Sequence, residues 1–226
     1  MDYINQFLFG YFPYIALAVF VIGSIARFDL SQYTWKAHSS QMLDNSKAFQ
    51  LGNKLFHSGI ILLFFGHLFG LLTPSSVYYA LGLTASSKQL LAIIAGGIFG
   101  TMTFIGMTIL VHRRLFNPRV RANSSQMDTF ILLLLYVQLI LGMLTIPISA
   151  GHLDGGVMLQ LSDWAQRIVT FRAGAAEAIA DVNIIFQLHI FLGLVMFLVF
   201  PFTRLVHVFS APVWYLGRRY QLVRQR

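Results

Sequence analysis

Backbone amides and carbonyls find no water inside a bilayer, so a segment that crosses one must be helical or part of a closed barrel. Five windows of this chain are apolar and long enough for the roughly 20 helical residues that span about 30 Å of hydrocarbon. They are Phe7–Ala26, Leu51–Leu72, Leu90–Val111, Thr129–Ile148 and Ile184–Phe209. Breakers fall at Thr73-Pro74, at Asn117-Pro118 and at Pro147. The first window has neither a basic leader nor an Ala-x-Ala-like cleavage site, and is expected to be retained. Only 11% of the 226 residues are charged and 57% are hydrophobic, against roughly 25% charged in soluble domains. The expected fold class is an all-α integral membrane protein, one membrane domain whose five transmembrane helices form a bundle, with residues 210–226 as a tail.

The formal charge of +8 follows the membrane and does not mark nucleic acid. Lys and Arg gather in the first-to-second connection (Arg27, Lys36, Lys47, Lys54), in the third-to-fourth (Arg113, Arg114, Arg119, Arg121) and at the C-terminal end (Arg204, Arg218, Arg219, Arg224, Arg226). The other side holds only Lys88, Arg167 and Arg172 against Asp2, Asp154, Asp163, Glu177 and Asp181. By the positive-inside bias, the N-terminus is expected outside and the C-terminus in the cytoplasm. The chain has no cysteine, which excludes disulfides, thiolate metal sites and covalent haem attachment through Cys-x-x-Cys-His.

Four histidines lie within otherwise apolar windows: His57 and His67 in the second, His189 and His207 in the fifth. An ionisable side chain at membrane depth is costly and points to function, and neutral imidazole is the commonest metal ligand. The two windows run in opposite directions, so His67 meets His189 near the outer face and His57 meets His207 near the cytoplasm. His57 and His67 are ten residues apart, about 15 Å of helical rise and about 80° short of a whole number of turns. His189 and His207 are eighteen apart, about 27 Å and five full turns, hence on one face. The unequal rises require a tilt or bend, and Pro201 between the latter two predicts one. One reading is a set of polar contacts between helices. The other, favoured by two pairs at two depths, is a metal cofactor, with two stacked haems preferred because no Cys, Met or carboxylate completes a copper or zinc shell.

Some nearby residues carry two readings each. Gly59, Gly66, Gly70 and Gly193 serve either close helix packing, as Gly66-xxx-Gly70 and Gly96-xxx-Gly100 suggest, or clearance for a flat macrocycle. Arg204, three residues before His207, either meets a haem propionate or snorkels to the surface. Lys88, in the short outer loop before the third window, either hydrogen-bonds a quinone carbonyl or is solvated. Within the long connection from Ser149 to Asn183, Trp164–Ala180 could lie as an interfacial helix. His38, His112 and His152 read as surface residues.

The chain closely resembles, nearly end to end, the gamma subunit of membrane-bound respiratory nitrate reductase, a five-span dihaem cytochrome b. The resemblance is carried by Gln32-Tyr-Thr-Trp-Lys-Ala37, Ser39-Ser-Gln-Met-Leu-Asp44, Asn53-Lys-Leu-Phe-His57, and Gly66-His67 with Leu72-Thr-Pro74. Further on it shows in Arg113-Arg-Leu-Phe-Asn-Pro-Arg-Val-Arg121, Phe200-Pro-Phe-Thr-Arg-Leu-Val-His207 and Tyr220-Gln-Leu-Val-Arg224. It implies two haem b groups, the cytoplasmic one on His57 and His207 and the outer one on His67 and His189. It implies oxidation of a membrane quinol beside the outer haem, at Gly66 and Lys88, although Ser75–Ser87 departs from the family pattern. It also implies an iron–sulfur subunit and a molybdenum catalytic subunit as cytoplasmic partners, a bacterial inner-membrane location, and a tail, Arg218–Arg226, that anchors the partner. Two alternatives stand beside it: the cytochrome b subunit of a quinone-linked hydrogenase or formate dehydrogenase, and a haem-free transporter that relays protons through its histidines.

Overall fold

The chain forms ten α-helices and no strand among the described residues, which in this computed structural model are 3–37, 40–211, 213 and 217. In order they are α1 (Tyr3–Gln6), α2 (Phe12–Ser31), α3 (Lys47–Leu72), α4 (Ser75–Ala80), α5 (Ala85–Phe116), α6 (Pro118–Ala122), α7 (Gln126–Ala150), α8 (Gly156–Val169), α9 (Ala175–Ala178) and α10 (Ile184–Val199). His38 and Arg218–Arg226 lie outside the described residues. Five helical stretches are long and apolar enough to cross a membrane: Tyr3–Thr34, Lys47–Leu72, Ala85–Phe116, Gln126–Ala150 and Ile184–Phe202. Each overlaps one expected window, so the fold class and number of spans stand.

Helix ends follow local chemistry. Thr73 and Asn117, each before a proline and so steered away from helical backbone, end α3 and α5 in extended conformation. Asn117 also caps α6 by accepting from the amides of Arg119 and Val120. Ser46, Thr84, Ser125 and Asn183 cap α3, α5, α7 and α10 through their side chains, at about 1 kcal/mol each. Pro147, expected as a breaker, is carried within α7, which ends three residues later at Ala150.

Two spans depart from regular helix, both because of proline. Phe7–Tyr11 forms a π-helical turn leading into α2. Pro13 has no N–H, so the Phe9 carbonyl four residues earlier lacks its helical donor. The indole of Trp164 supplies it, with Nε1 donating to Phe9 O at 3.0 Å. The fifth window was expected to be one bent helix to Phe209. Instead α10 stops at Val199, a 3-10 turn covers Phe200–Phe202, and Thr203 is fully extended (φ −115°, ψ 177°) before a second 3-10 segment, Arg204–Ser210. The proline thus breaks the helix outright, and the one-face, five-turn relation between His189 and His207 does not hold.

The long helices pack as a row, α3 on α5, α5 on α7, α7 on α10 and α10 on α2. Glycines set the tightest seam. A methyl on Gly52 or Gly59 would strike Ile109 or Thr103 of α5, and one on Gly106 would strike the α3 backbone. At the other end of α3 the spacing opens: a methyl on Gly66 or Gly70 would meet no heavy atom within 4 Å. The two readings of the glycines therefore divide along one helix, with Gly59 serving packing and Gly66 and Gly70 leaving clearance. Gly100, against Met143, is also packed.

The long connection is not one helix over Trp164–Ala180. It holds α8, which starts eight residues before Trp164, then a reversal at Phe171 (φ 56°), then α9. Trp164, Ala165 and Ile168 are buried in one core with Phe9, Ala16, Phe186 and Leu194. Gln166 donates to Leu71 O and Thr73 O, and Ser162 to Gly70 O, so α8 also pins the end of α3. In place of the expected single helix, α8 docks as a cap over the helix ends. At the opposite end, Arg113 binds Asp44 Oδ2 (2.9 Å), Ser40 Oγ (2.8 Å), Ser40 O (2.8 Å) and Asp44 O (2.9 Å). Its guanidinium also lies over the Phe49 ring.

Candidate functional site

The antiparallel run of α3 and α10 brings His67 and His189 face to face, ring centres 6.0 Å apart and planes inclined by 42°. A metal bonded to an imidazole nitrogen on each side at about 2.0–2.1 Å, with about 1.2 Å more to each ring centre, would separate the centres by about 6.4 Å. The pair thus stands at nearly the spacing for one metal between two rings. His57 lies in α3 and His207 in the 3-10 segment beyond the break, both toward the other end. The His67–His189 contact joins the partners that topology led one to expect. In the expected orientation the first pair is the outer and the second the inner.

All four rings use Nδ1 in the same way. Nδ1 meets a backbone carbonyl in His57 (Asn53 O, 2.8 Å), His67 (Leu63 O, 2.8 Å), His189 (Gln138 O, 3.1 Å) and His207 (Arg204 O, 2.5 Å). A carbonyl only accepts, so Nδ1 carries the proton and the lone pair is left on Nε2. That is the tautomer of a metal-ligating histidine with its outer partner in place. Among the described residues no three His, Cys, Asp or Glu side chains gather as a metal group. Two ligands are too few for the tetrahedral zinc sites that proteins build. They suit a haem, whose macrocycle brings its own equatorial nitrogens and asks the protein only for axial ligands. The open side of Gly66, next to His67, gives such a ring room against the helix.

Arg204 is ion-paired at 3.9 Å with Asp128, the N3 residue of the α7 capping box. Lys88 is not in a loop: α5 begins at Ala85, which puts it in the first turn of a helix, 8% exposed. Its Nζ sits 4.4 Å from the centre of the Tyr78 ring and has no hydrogen-bond partner. Burial, and then the neighbouring Tyr79 hydroxyl, push the Tyr78 pKa up to about 12. Neighbouring Gln89 ties α5 to the end of α7 through Ser149 O and His152 O. Lys88 makes no hydrogen bond or ring contact with His67 or Gly66 among the described residues, so those three are not joined directly.

A sequence model of the nitrate reductase gamma subunit family matches residues 5–226. The chain belongs to that family. It is 52% identical over 226 residues, all of both chains, to the respiratory nitrate reductase 1 gamma chain of Escherichia coli (strain K12). It is 38% identical over 222 residues, 98% of this chain and 99% of the relative, to the nitrate reductase gamma chain of Bacillus subtilis (strain 168). Membership makes it a membrane-spanning electron-transfer subunit of a nitrate reductase, and sets aside the hydrogenase and formate dehydrogenase readings.

Two residues of this gamma chain escaped the reading of its sequence. Arg27, counted there only as a topology charge, reaches from α2 to the break before His207 and donates from Nη1 to both Pro201 O and Thr203 O at 2.7 Å. Pro201 O ends its turn at the break without a continuing helical donor, and the guanidinium supplies one while also holding the Thr203 carbonyl. Gln138 sits on α7 and supplies the carbonyl for His189. A glutamine in the apolar window Thr129–Ile148 is the same kind of signal as an intramembrane histidine, and it was available.

Proposed function

We propose that the chain oxidises membrane quinol near the outer face and carries the electrons across the bilayer on two b haems. It hands them to an iron–sulfur subunit and, through that, to a molybdenum nitrate reductase subunit on the cytoplasmic side. The observation that carries the reading is the common engagement of four intramembrane Nδ1 atoms by carbonyls, which leaves each ring an Nε2 lone pair to offer a metal.

When bound, each haem supplies a one-electron couple. His67 and His189 would hold the outer one, His57 and His207 the inner. The carbonyl behind each Nδ1 fixes the tautomer and makes the ring a stronger donor. Gly66 leaves space for the macrocycle's edge, and Arg204, anchored by Asp128, places a cation for a propionate beside His207.

Lys88 is the group to receive quinol. A buried ammonium that has an aromatic ring but no hydrogen-bond acceptor recovers only part of its desolvation cost, and a quinol oxygen would supply the acceptor. The Tyr78 hydroxyl, protonated throughout the physiological range, is a second donor beside it. Quinol held there loses two electrons to the chain and two protons to the outer side. Each electron that crosses is worth about 2.3 kcal/mol per 100 mV, so the topology conserves energy.

A dithionite-reduced minus oxidised spectrum of the purified membrane protein, with haem measured per chain, tests the reading. Sharp b-type bands at two haems per chain are expected. Folded protein with no haem would overturn it. Lys88→Ala in the complex should lower quinol-dependent nitrate reduction at least tenfold while keeping both haems and the rate with an artificial donor.

A further inference from the structure

Three of the four histidines take their Nδ1 acceptor from their own segment: His57 and His67 from the carbonyl four residues back, His207 from the one three back. His189 does not. Its ring bonds Gln138 O on α7, and the Gln138 amide returns the bond, Nε2 donating to His189 O at 3.0 Å. The same two residues are thus joined twice, in opposite directions, across a helix pair.

Both accepting carbonyls already belong to helices, where the side chain one turn later ordinarily crowds them. Here each is followed four residues on by glycine: Gly142 after Gln138, Gly193 after His189. A methyl on Gly142 would stand 2.9 Å from His189 Cε1, and one on Gly193 would stand 3.3 Å from Gln138 Nε2. The two glycines open the two carbonyls, and Gly142 also lets the Cε1 edge of the imidazole come close to α7. Gly193 therefore makes room for an amide.

We propose that Gln138 and Gly142 are positioning residues for the outer haem, setting the plane and donor strength of His189 from α7. The inference rests on the two-haem reading above. With this double bond the imidazole is held by two helices, whereas each of the other three follows its own segment. Weakening the hold makes His189 a poorer donor to ferric iron, which favours reduction.

The test uses the membrane complex, with redox titration of each haem and low-temperature EPR of the ferric state. Q138M keeps the side-chain length and removes the amide. It should raise the outer haem's reduction equilibrium constant on the order of tenfold, about 59 mV for a one-electron couple, with two haems retained and the inner one unmoved. G142A should alter the outer low-spin EPR signal alone. V137A, on the exposed face of α7, is the control expected to change neither. If Q138M and G142A leave the outer haem as in the parent, or Q138M and Q138N shift or lose both haems together, the positioning role is wrong. A parent chain without haem would overturn the underlying reading instead.

Discussion

The outer histidine pair stands on two unbroken helices, while the inner pair joins one unbroken helix to a 3-10 segment beyond a break. The outer pair is built by packing: α8 closes over it, Trp164 and Ser162 hold the ends of the first and second spans, and α7 grips His189. The inner pair is built by charge. Arg27 clamps the broken backbone before His207, and Asp128 holds Arg204 in the turn that carries it. One chain thus presents the same imidazole pair twice by different means, and the two ends should fail under different perturbations.

The largest separation should come from the α3 glycines. Gly66→Leu fills the open side beside His67 and should remove the outer haem from folded protein, leaving one b haem per chain. Gly59→Leu, driven into Thr103, should instead lower the yield of the whole chain. Equal yields, or loss of both haems from Gly66→Leu, would break the distinction between clearance and packing.

Arg27→Ala comes next. It removes both guanidinium bonds and leaves Pro201 O at the break without a donor, so inner haem occupancy should fall several-fold in haem-resolved titrations while the outer haem stays full. Trp164→Phe should spare both haems and cost about 1–3 kcal/mol, the penalty for a buried carbonyl left unpaired, seen as a lower thermal midpoint.

The smallest effect is with pH. The Arg113 guanidinium, then the Ser46 amide, hold the Asp44 carboxyl below its ordinary 3.8. A depressed carboxyl stabilises the fold above its unfolded pKa, and that contribution fades as pH falls below about 3.8 toward the folded value. The loop at residues 40–44 should therefore loosen in acid, by hydrogen exchange, before the α8 cap does. In Asp44→Asn that acid dependence should be absent, with the loop looser at neutral pH.

The spans were legible because lipid leaves the backbone one solution, and the meeting of His67 with His189 because antiparallel direction sorts side chains by depth. His67 and His189 needed no more than that. The break at residues 200–203 was legible only as a bend: Pro201 announces a missing donor, but the extended Thr203 is stabilised by Arg27 from 174 and 176 residues away in sequence. Lys88 was misplaced because hydropathy marks where apolar residues begin, whereas α5 starts earlier, at the Thr84–Ser87 capping box. The α8 cap was missed because a segment of mixed polarity packs against protein or lies on lipid with the same pattern, and only the partners distinguish them.

The pairing of ligands is the claim on which the rest stands, and four single-histidine variants test it most directly. Redox titration of each variant complex should show that His67→Ala and His189→Ala abolish the same haem component. His57→Ala and His207→Ala should abolish the other. Loss of one common component from His67→Ala and His207→Ala, or full retention of both haems in any of the four, would contradict it.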